Sequence, residues 1–241
     1  MTNPAADAPE PCQGRLAVLL SGGGRTLQNL IDCIRRGQIN AQIAVVISSL
    51  PQVKGVERAK AAGLPVVIIR KKDHPEVDEF SRRIAEALDE HKPALVCQAG
   101  WACYWRIPDR WLGKVMNIHP ALLPKFGGKG FYGHHVHEAV LAAGEKVSGC
   151  TVHFADNRYD AGPIILQRTV PVLPGDTPEV LAERVFEQEC IAYPAAIRLF
   201  LKGHLQVRGD RVMLVRPGRG SIPARLANPG TVFRPGPGPM E

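Results

Sequence analysis

Long hydrophobic runs, closely spaced cysteine pairs and a leader-like start are all missing from this 241-residue sequence. No stretch approaches the roughly 20 consecutive apolar residues that a membrane-spanning helix needs, which argues against a membrane protein. Residues 1–13 lack the basic region followed by an apolar segment that marks a secretory signal, so we expect them to form a disordered arm. The six cysteines include no C-x-x-C pair, which leaves structural zinc without support and favours a reducing, cytoplasmic location.

The positive charge of the sequence is concentrated near its C-terminus. The formal net charge is +7, yet residues 203–241 hold six arginines and no lysine against Asp210 and Glu241, which amounts to +4. The first 202 residues therefore carry only +3, a balance that suits a small anionic ligand better than a nucleic acid. The Pro- and Gly-rich composition of the tail predicts poor order at its end.

Apolar runs alternate with helical patterns through the first hundred residues. The runs typical of buried strands are 15–20, 41–49, 64–70 and 93–100, and the helical patterns between them are 26–37, 56–63 and 75–92. This alternation predicts βαβ units, and hence an α/β fold with a mostly parallel sheet flanked by helices. Ligands of such folds bind at the carboxyl ends of the strands.

The second half of the sequence departs from this pattern. Its strand-like segments are 114–120, 148–156 and 162–172, and its helical segments are 134–144 and 177–201, the latter with Pro194 inside it. No helical pattern separates the last two strands, so we expect them to pair antiparallel. Residues 204–215 are typical of a hairpin, which gives one domain over 14–203 and a peripheral hairpin and basic tail over 204–241.

A glycine-rich loop, "SGGGRT", joins the first strand to the first helix. The G-x-G-x-x-G pattern of dinucleotide sites fails because Leu27 stands at the third glycine position, and no G-K-[ST] follows for a P-loop. Glycine backbone before a helix N-terminus still suits a single phosphate, with Arg25 as a charge partner. A tight turn without a ligand is the alternative.

A polar pair closes the strand in "VMNIHPALLPKFGG". Asn117 and His119 alternate along that strand and therefore share one face. If Asp160 lies beside them, its carboxylate would raise the pKa of the imidazole and make His119 a competent general acid/base. The Asn117 amide would then be a donor for a developing oxyanion. The alternative is a capped strand end, with Asp160 in an ordinary turn.

Four further histidines receive a structural interpretation. His134, His135 and His137 form an "HHVH" cluster that suggests metal, but a helix start with solvent-facing rings is the favoured reading, and we expect no metal. His153 alternates with Thr151 on a strand and is typical of a satisfied sheet histidine.

Five segments in order resemble the phosphoribosylglycinamide formyltransferases: "SGGGRTLQNLI", "NIHPALLPKF", "HEAVLAAGEKVSGCTVHF", "YDAGPIILQ" and "VFEQECIAYPAAI". The resemblance runs over about residues 14–203 and implies a Rossmann-like formyltransferase fold. It also implies transfer of a formyl group from 10-formyltetrahydrofolate, the co-substrate, to the amine of glycinamide ribonucleotide in purine biosynthesis. Both substrates are small molecules, and the chain is expected to act as a monomer or homodimer.

The resemblance also assigns roles by position. His119 would be the general acid/base, Asn117 would stabilise the oxyanion, and Asp160 would orient the imidazole. The ribonucleotide would be bound by Gly24, Arg25, Thr26 and Glu189, with Glu189 at the amine end. The folate-binding residues would be Ala102, Cys103, Tyr104, Trp105, Asp156 and Asn157, together with Asn117 and Asp160. Arg25 and Thr26 replace the serine and asparagine usual in the family.

Three rival functions fit the sequence less well. A methionyl-tRNA formyltransferase would add a C-terminal domain of a size that the tail does not reach. A formyltetrahydrofolate hydrolase usually carries an N-terminal regulatory domain and a second histidine where this chain has Pro120. A non-enzymatic RNA binder would need aromatic motifs that are missing.

Overall fold

The computed structural model of the protein describes residues 14–216 and 219–222. The expected disordered arm over residues 1–13 and the Pro/Gly-rich end of the tail lie outside this range. None of the helices in the described ranges is long and apolar enough to cross a membrane.

Seven strands form the main sheet, in the order β3-β2-β1-β4-β5-β6-β7. Their bounds are β1 Arg15–Leu20, β2 Gln42–Ser48, β3 Val66–Ile68, β4 Leu95–Gln98, β5 Val115–His119, β6 Val147–Phe154 and β7 Ile164–Pro171. The first five strands are parallel, whereas β6 pairs antiparallel with both β5 and β7. The predicted α/β fold with a mostly parallel sheet is confirmed, and so is the antiparallel pair.

One edge strand is shorter than its sequence pattern predicted. Only Val66–Ile68 of the expected strand over 64–70 is regular. Pro65 can accept a ladder hydrogen bond, as its carbonyl does from the Val46 amide at 2.8 Å, but it has no N–H to donate.

Helices cover the sheet on both faces. Their bounds are α1 Arg25–Arg35, α2 Lys54–Ala61, α3 Val77–His91, α4 His134–Ala142 and α5 Pro178–Leu201, with short 3₁₀ turns at Lys71–Asp73 and Asp109–Trp111. Apolar residues of α1, α2, α4 and α5 share one core, whereas those of α3 and the segment 101–111 form the other. Strands buried on both faces need near-continuous apolar sequence, which explains the unbroken runs in β1 and β2.

A second, antiparallel sheet follows α5. It contains β8 Leu205–Arg208, β9 Arg211–Arg216 and β10 Arg219–Ile222. The first two strands are the predicted hairpin, which is confirmed, and β10 adds a third strand to it.

The strand order reverses between β1 and β4, and this reversal creates the crevice for the site. Neighbouring parallel strands whose connections leave in opposite directions open a cleft at their carboxyl ends. Ser21 ties the two strand ends together: its amide donates to the Gly100 carbonyl at 2.9 Å, and its hydroxyl oxygen accepts from the Ala102 amide at 2.9 Å. The ends of β1, β4 and β5 therefore face one region.

Candidate active site

Asn117, His119 and Asp160 converge at the carboxyl end of β5. The two β5 side chains share a face, as expected from strand alternation, and Asp160 reaches them from the loop between β6 and β7. Asp160 has a left-handed backbone, with φ of 50°, which turns its carboxylate back toward the sheet. Its Oδ2 lies 3.6 Å from His119 Nδ1, and its Oδ1 lies 3.4 Å from Asn117 Nδ2. Residues 41 positions apart in the sequence thus share one site.

The His119 ring is buried and faces an acceptor at each nitrogen. Nε2 lies 2.7 Å from the Phe126 carbonyl oxygen, and Nδ1 faces Asp160. A carbonyl only accepts, so Nε2 carries the proton in the neutral ring and Nδ1 is left as the basic atom. When Nδ1 also carries a proton, each ring nitrogen has an N–H group that faces an acceptor.

Burial decides the direction in which the His119 pKa moves. Desolvation lowers the pKa, while Asp160 and the Phe126 carbonyl raise it, and the net result lies below the ordinary value of 6.5. Asp160 does raise this pKa, as predicted, but burial lowers it by more, so the predicted net direction of the shift is wrong. The ring is therefore neutral at neutral pH and ready to accept a proton.

Asp160 stays ionised despite its partial burial. Burial raises its pKa, but the neighbouring rings of His153 and His119 and the Gly128 amide lower it by more, so the net pKa is below 3.8. The Gly128 amide donates to Oδ2 at 3.0 Å. A carboxylate held in this way stabilises an imidazolium when His119 takes up a proton.

His153 belongs to the cluster, although the sequence interpretation set it aside. Its Nδ1 lies 3.0 Å from the Phe154 carbonyl oxygen, which fixes the proton there and leaves Nε2 as an acceptor for the Asn117 amide at 3.2 Å. Its Nε2 is also 3.7 Å from Asp160. The sequence predicted only that β6 pairs with β7, whereas the antiparallel pairing of β6 with β5 is what sets His153 directly opposite Asn117.

A cavity of about 350 Å³ opens beside these residues. Asp156 lines this cavity. So do the four predicted folate-binding residues on segment 101–105, which are Ala102, Cys103, Tyr104 and Trp105. Tyr104 and Tyr159 stack at a tilt, with ring centroids 5.2 Å apart. Asn157 has another task, because its side chain accepts from the Ile107 amide at 2.7 Å and donates to the Ile107 carbonyl at 3.2 Å. The Asn157 side chain therefore supports the cavity wall at Ile107.

The glycine loop adopts a conformation that requires glycine at its last position. Gly24 has φ of 68°, and a Cβ there would lie 2.5 Å from the Gly55 Cα. Arg58, half-buried on α2, donates from Nε to the Gly23 carbonyl at 3.1 Å. This cation beside the loop was missed because nothing in the sequence brings α2 next to the loop. No side chain in the described ranges caps α1, so its first N–H groups are open to a ligand.

Arg25, the first residue of α1, and Glu189, on α5, lie where these two helices face each other. The Arg25 Nη2 contacts both carboxylate oxygens of Glu183, at 2.6 and 2.7 Å, and its guanidinium carbon is 3.8 Å from the Phe186 ring centroid. Burial raises the pKa of Glu189 to about 8, although the charge of Arg25 opposes this. Thr26 is half-buried in the first turn of α1.

The α4 histidines depart in one case from the solvent-facing arrangement predicted for them. His134 and His135 are exposed and contact Glu179 at 3.0 Å and Glu138 at 3.1 Å. His137 is buried, and desolvation with the nearby charges of His134 and His119 lowers its pKa to about 4. The prediction was wrong here because His137 lies on the core side of α4, beside Val136 and Val140. Within the described residues, no group of three or more potential ligands could hold a metal ion.

The class of protein follows from comparison with known families. The chain belongs to the formyl transferase family, whose sequence model matches residues 14–197. Within that family its relatives are phosphoribosylglycinamide formyltransferases, as the motifs predicted. The chloroplastic phosphoribosylglycinamide formyltransferase of Arabidopsis thaliana is 34% identical over 210 residues, which cover 86% of this chain and 72% of that protein.

Two further similarities agree with this assignment. The crystal structure of glycinamide ribonucleotide transformylase 1 from Symbiobacterium toebii is 41% identical, with a TM-score of 0.79, covering 84% of this chain and 94% of that one. The trifunctional purine biosynthetic protein adenosine-3 of Gallus gallus is 42% identical over 195 residues, which cover 80% of this chain. The chain spans 19% of the length of that relative.

Proposed function

We propose that this protein transfers the formyl group of 10-formyltetrahydrofolate to the amine of glycinamide ribonucleotide, a step of purine biosynthesis. The observation that carries the proposal is the neutral, buried His119 beside ionised Asp160, both of which line a cavity of about 350 Å³. Relatives named for this activity support it. The five described cysteines are all free, which is compatible with a reducing compartment such as the cytoplasm.

In the proposed reaction His119 moves one proton. The amine nitrogen attacks the formyl carbon, and the carbonyl π electrons move onto its oxygen to give a tetrahedral oxyanion. His119 takes the amine proton at Nδ1, the atom that Phe126 does not engage, and Asp160 stabilises the resulting imidazolium. As the bond from carbon to N10 of the folate breaks, the same proton passes to N10, and the oxyanion collapses to the new formamide.

Asn117 is the proposed donor to the oxyanion. To donate to it, the Asn117 amide must give up one of its two present hydrogen-bond acceptors. Its amide nitrogen faces His153 at 3.2 Å and Asp160 at 3.4 Å, so both of its hydrogens have acceptors before substrate binds. The longer contact is the weaker one and is therefore the one to be exchanged for the oxyanion. Loss of such a donor costs about 3–4 kcal/mol of transition-state stabilisation.

The two substrates take different walls of the crevice in this proposal. The ribonucleotide phosphate lies on the loop at Gly24 and Thr26, near Arg25, where the first N–H groups of α1 are open. Glu189 lies beyond that loop, toward the amine end of the same substrate. The folate occupies the cavity along segment 101–105, with Asp156 at its rim. We propose a monomer or a homodimer as the active form.

The test is a kinetic comparison of two histidine variants. His119→Ala should lower kcat by about 10²–10⁴-fold, since general acid/base catalysis contributes that much. His135→Ala is the matched control, because His135 is exposed on α4, where it contacts Glu138 and the ring of Tyr132 rather than the catalytic cluster, and it should leave kcat unchanged. Full activity in the His119 variant would refute the mechanism. Consumption of the folate without the amine would instead indicate a hydrolase.

A further inference from the structure

Arg25 is held by two residues of α5 that the sequence reading did not assign to the site. Glu183 contacts Nη2 with both carboxylate oxygens, at 2.6 and 2.7 Å. Phe186 lies three residues further along α5, and the guanidinium carbon sits 3.8 Å from the centre of its ring. One nitrogen and one planar face of the guanidinium are therefore in use.

Nε and Nη1 are the other two donor nitrogens of the Arg25 guanidinium. Nε and Nη1 have no hydrogen-bond partner in the described ranges, so three N–H donors remain available. The Nε–H and Nη1–H groups point away from each other, so each can donate a separate, single hydrogen bond to a phosphate oxygen. The Arg25 side chain is half exposed, so these donors are accessible to a ligand at the adjacent glycine loop.

A long arginine side chain loses rotamer freedom when it binds a ligand. Both Lys and Arg carry about 2 kcal/mol of such entropy. Contacts that hold the guanidinium in place before the phosphate arrives remove part of this cost from the binding step. The cation–π contact with Phe186 is suited to this because it fixes the plane of the guanidinium without using a donor.

We infer that Phe186 is a positioning residue of the ribonucleotide site: with Glu183 as the anchor, it holds Arg25 so that the remaining N–H donors of the guanidinium bind the substrate phosphate. This inference rests on the proposed function, because it takes the phosphate to lie at the glycine loop. It adds an aromatic residue of α5 to a site otherwise built from backbone and charge.

The experiment replaces the aromatic ring and measures phosphate binding directly. Phe186→Leu removes the ring and keeps an apolar side chain, whereas Phe186→Tyr keeps an aromatic face. Calorimetric titration with inorganic phosphate should show about two- to fivefold weaker binding for the Leu variant, the range expected of an exposed cation–π contact. The Tyr variant should bind as the wild type does.

Steady-state kinetics supply the second readout. Phe186→Leu should raise KM for the ribonucleotide by the same factor and leave both kcat and KM for the folate unchanged. Ile191→Ala is the control for a general disturbance of α5, because Ile191 is exposed on the same helix, and it should change none of these values. Glu183 is not the test residue, since its replacement would also change the charge beside the phosphate.

The same measurements in an Arg25→Ala background distinguish a failure of the positioning role of Phe186 from a failure of the proposed phosphate site. If Arg25→Ala weakens phosphate binding and Phe186→Leu has no further effect in that background, the inference is supported. If Arg25→Ala weakens binding but Phe186→Leu alone matches wild type, the positioning role is refuted and the proposed function stands. If Arg25→Ala leaves phosphate binding and KM unchanged, both the phosphate placement and the inference are wrong.

Discussion

Glu189, on α5 near Arg25, offers a measurable consequence of desolvating a carboxyl group. Burial raises its pKa from an ordinary value of 4.5 to about 8. Between these two pH values the unfolded chain has lost the proton and the folded protein has kept it. A raised acid pKa therefore makes stability fall as pH rises through this interval. Glu189→Gln removes the titration while keeping nearly the same shape.

The size of the effect follows from the two pKa values. Each pH unit between 4.5 and 8 corresponds to about 1.4 kcal/mol, so the full difference approaches about 5 kcal/mol at pH 8. This figure is an upper limit, because any water that reaches the carboxylate reduces its ionisation cost. Relative to wild type, Glu189→Gln should gain about 1 kcal/mol of unfolding free energy per pH unit from pH 5 to 8. Above pH 8 the gain should level off.

Urea unfolding of both proteins at pH 5, 6, 7 and 8 measures this difference, and subtraction cancels the titration of other groups. Glu187→Gln, on the exposed side of the same helix, is the matched control and should show no such slope. A difference between Glu189→Gln and wild type that stayed constant over the range, or that favoured wild type at pH 8, would show that the pKa of Glu189 is not raised in the folded protein.

Two other predictions concern the catalytic pair and the glycine loop. Asp160→Asn should lower kcat by about 10²-fold or more and move the acid limb of its pH profile to lower pH, because the carboxylate raises the pKa of His119; an unshifted limb would contradict this. Gly24→Ala should lower the unfolding free energy by about 1–3 kcal/mol more than Gly63→Ala, as measured in urea. Both glycines have positive φ, but only at Gly24 would the new methyl meet backbone, the Gly55 Cα at 2.5 Å.

The sequence predicted the parts of the fold that depend on local pattern. Continuous apolar runs in β1 and β2 indicated strands buried on both faces, and the lack of a helix between β6 and β7 indicated an antiparallel pair. The short edge strand β3 was overestimated because Pro65 limits its pairing. Local pattern also says nothing about which helices share a face, so Arg58 beside the glycine loop could not be foreseen.

The chemistry of the site was predictable by residue type, and its energetics were not. Asn117, His119 and Asp160 were expected to meet, and they do. The net direction of the His119 pKa depends on how burial compares with the charge of Asp160, which requires coordinates. The Phe126 carbonyl that fixes the His119 tautomer is a backbone group, and backbone groups leave no mark in the sequence.

The most direct test of formyl transfer follows the label of a ¹³C-formyl folate incubated with glycinamide ribonucleotide and the purified protein. We predict that the ¹³C appears in the amide of the ribonucleotide product, with one tetrahydrofolate released per product. We also expect His119→Ala to slow this transfer by about 10²–10⁴-fold, whereas His135→Ala should not change it. Label that appeared as formate at the same rate with or without the ribonucleotide would show that the protein hydrolyses the folate and does not transfer its formyl group.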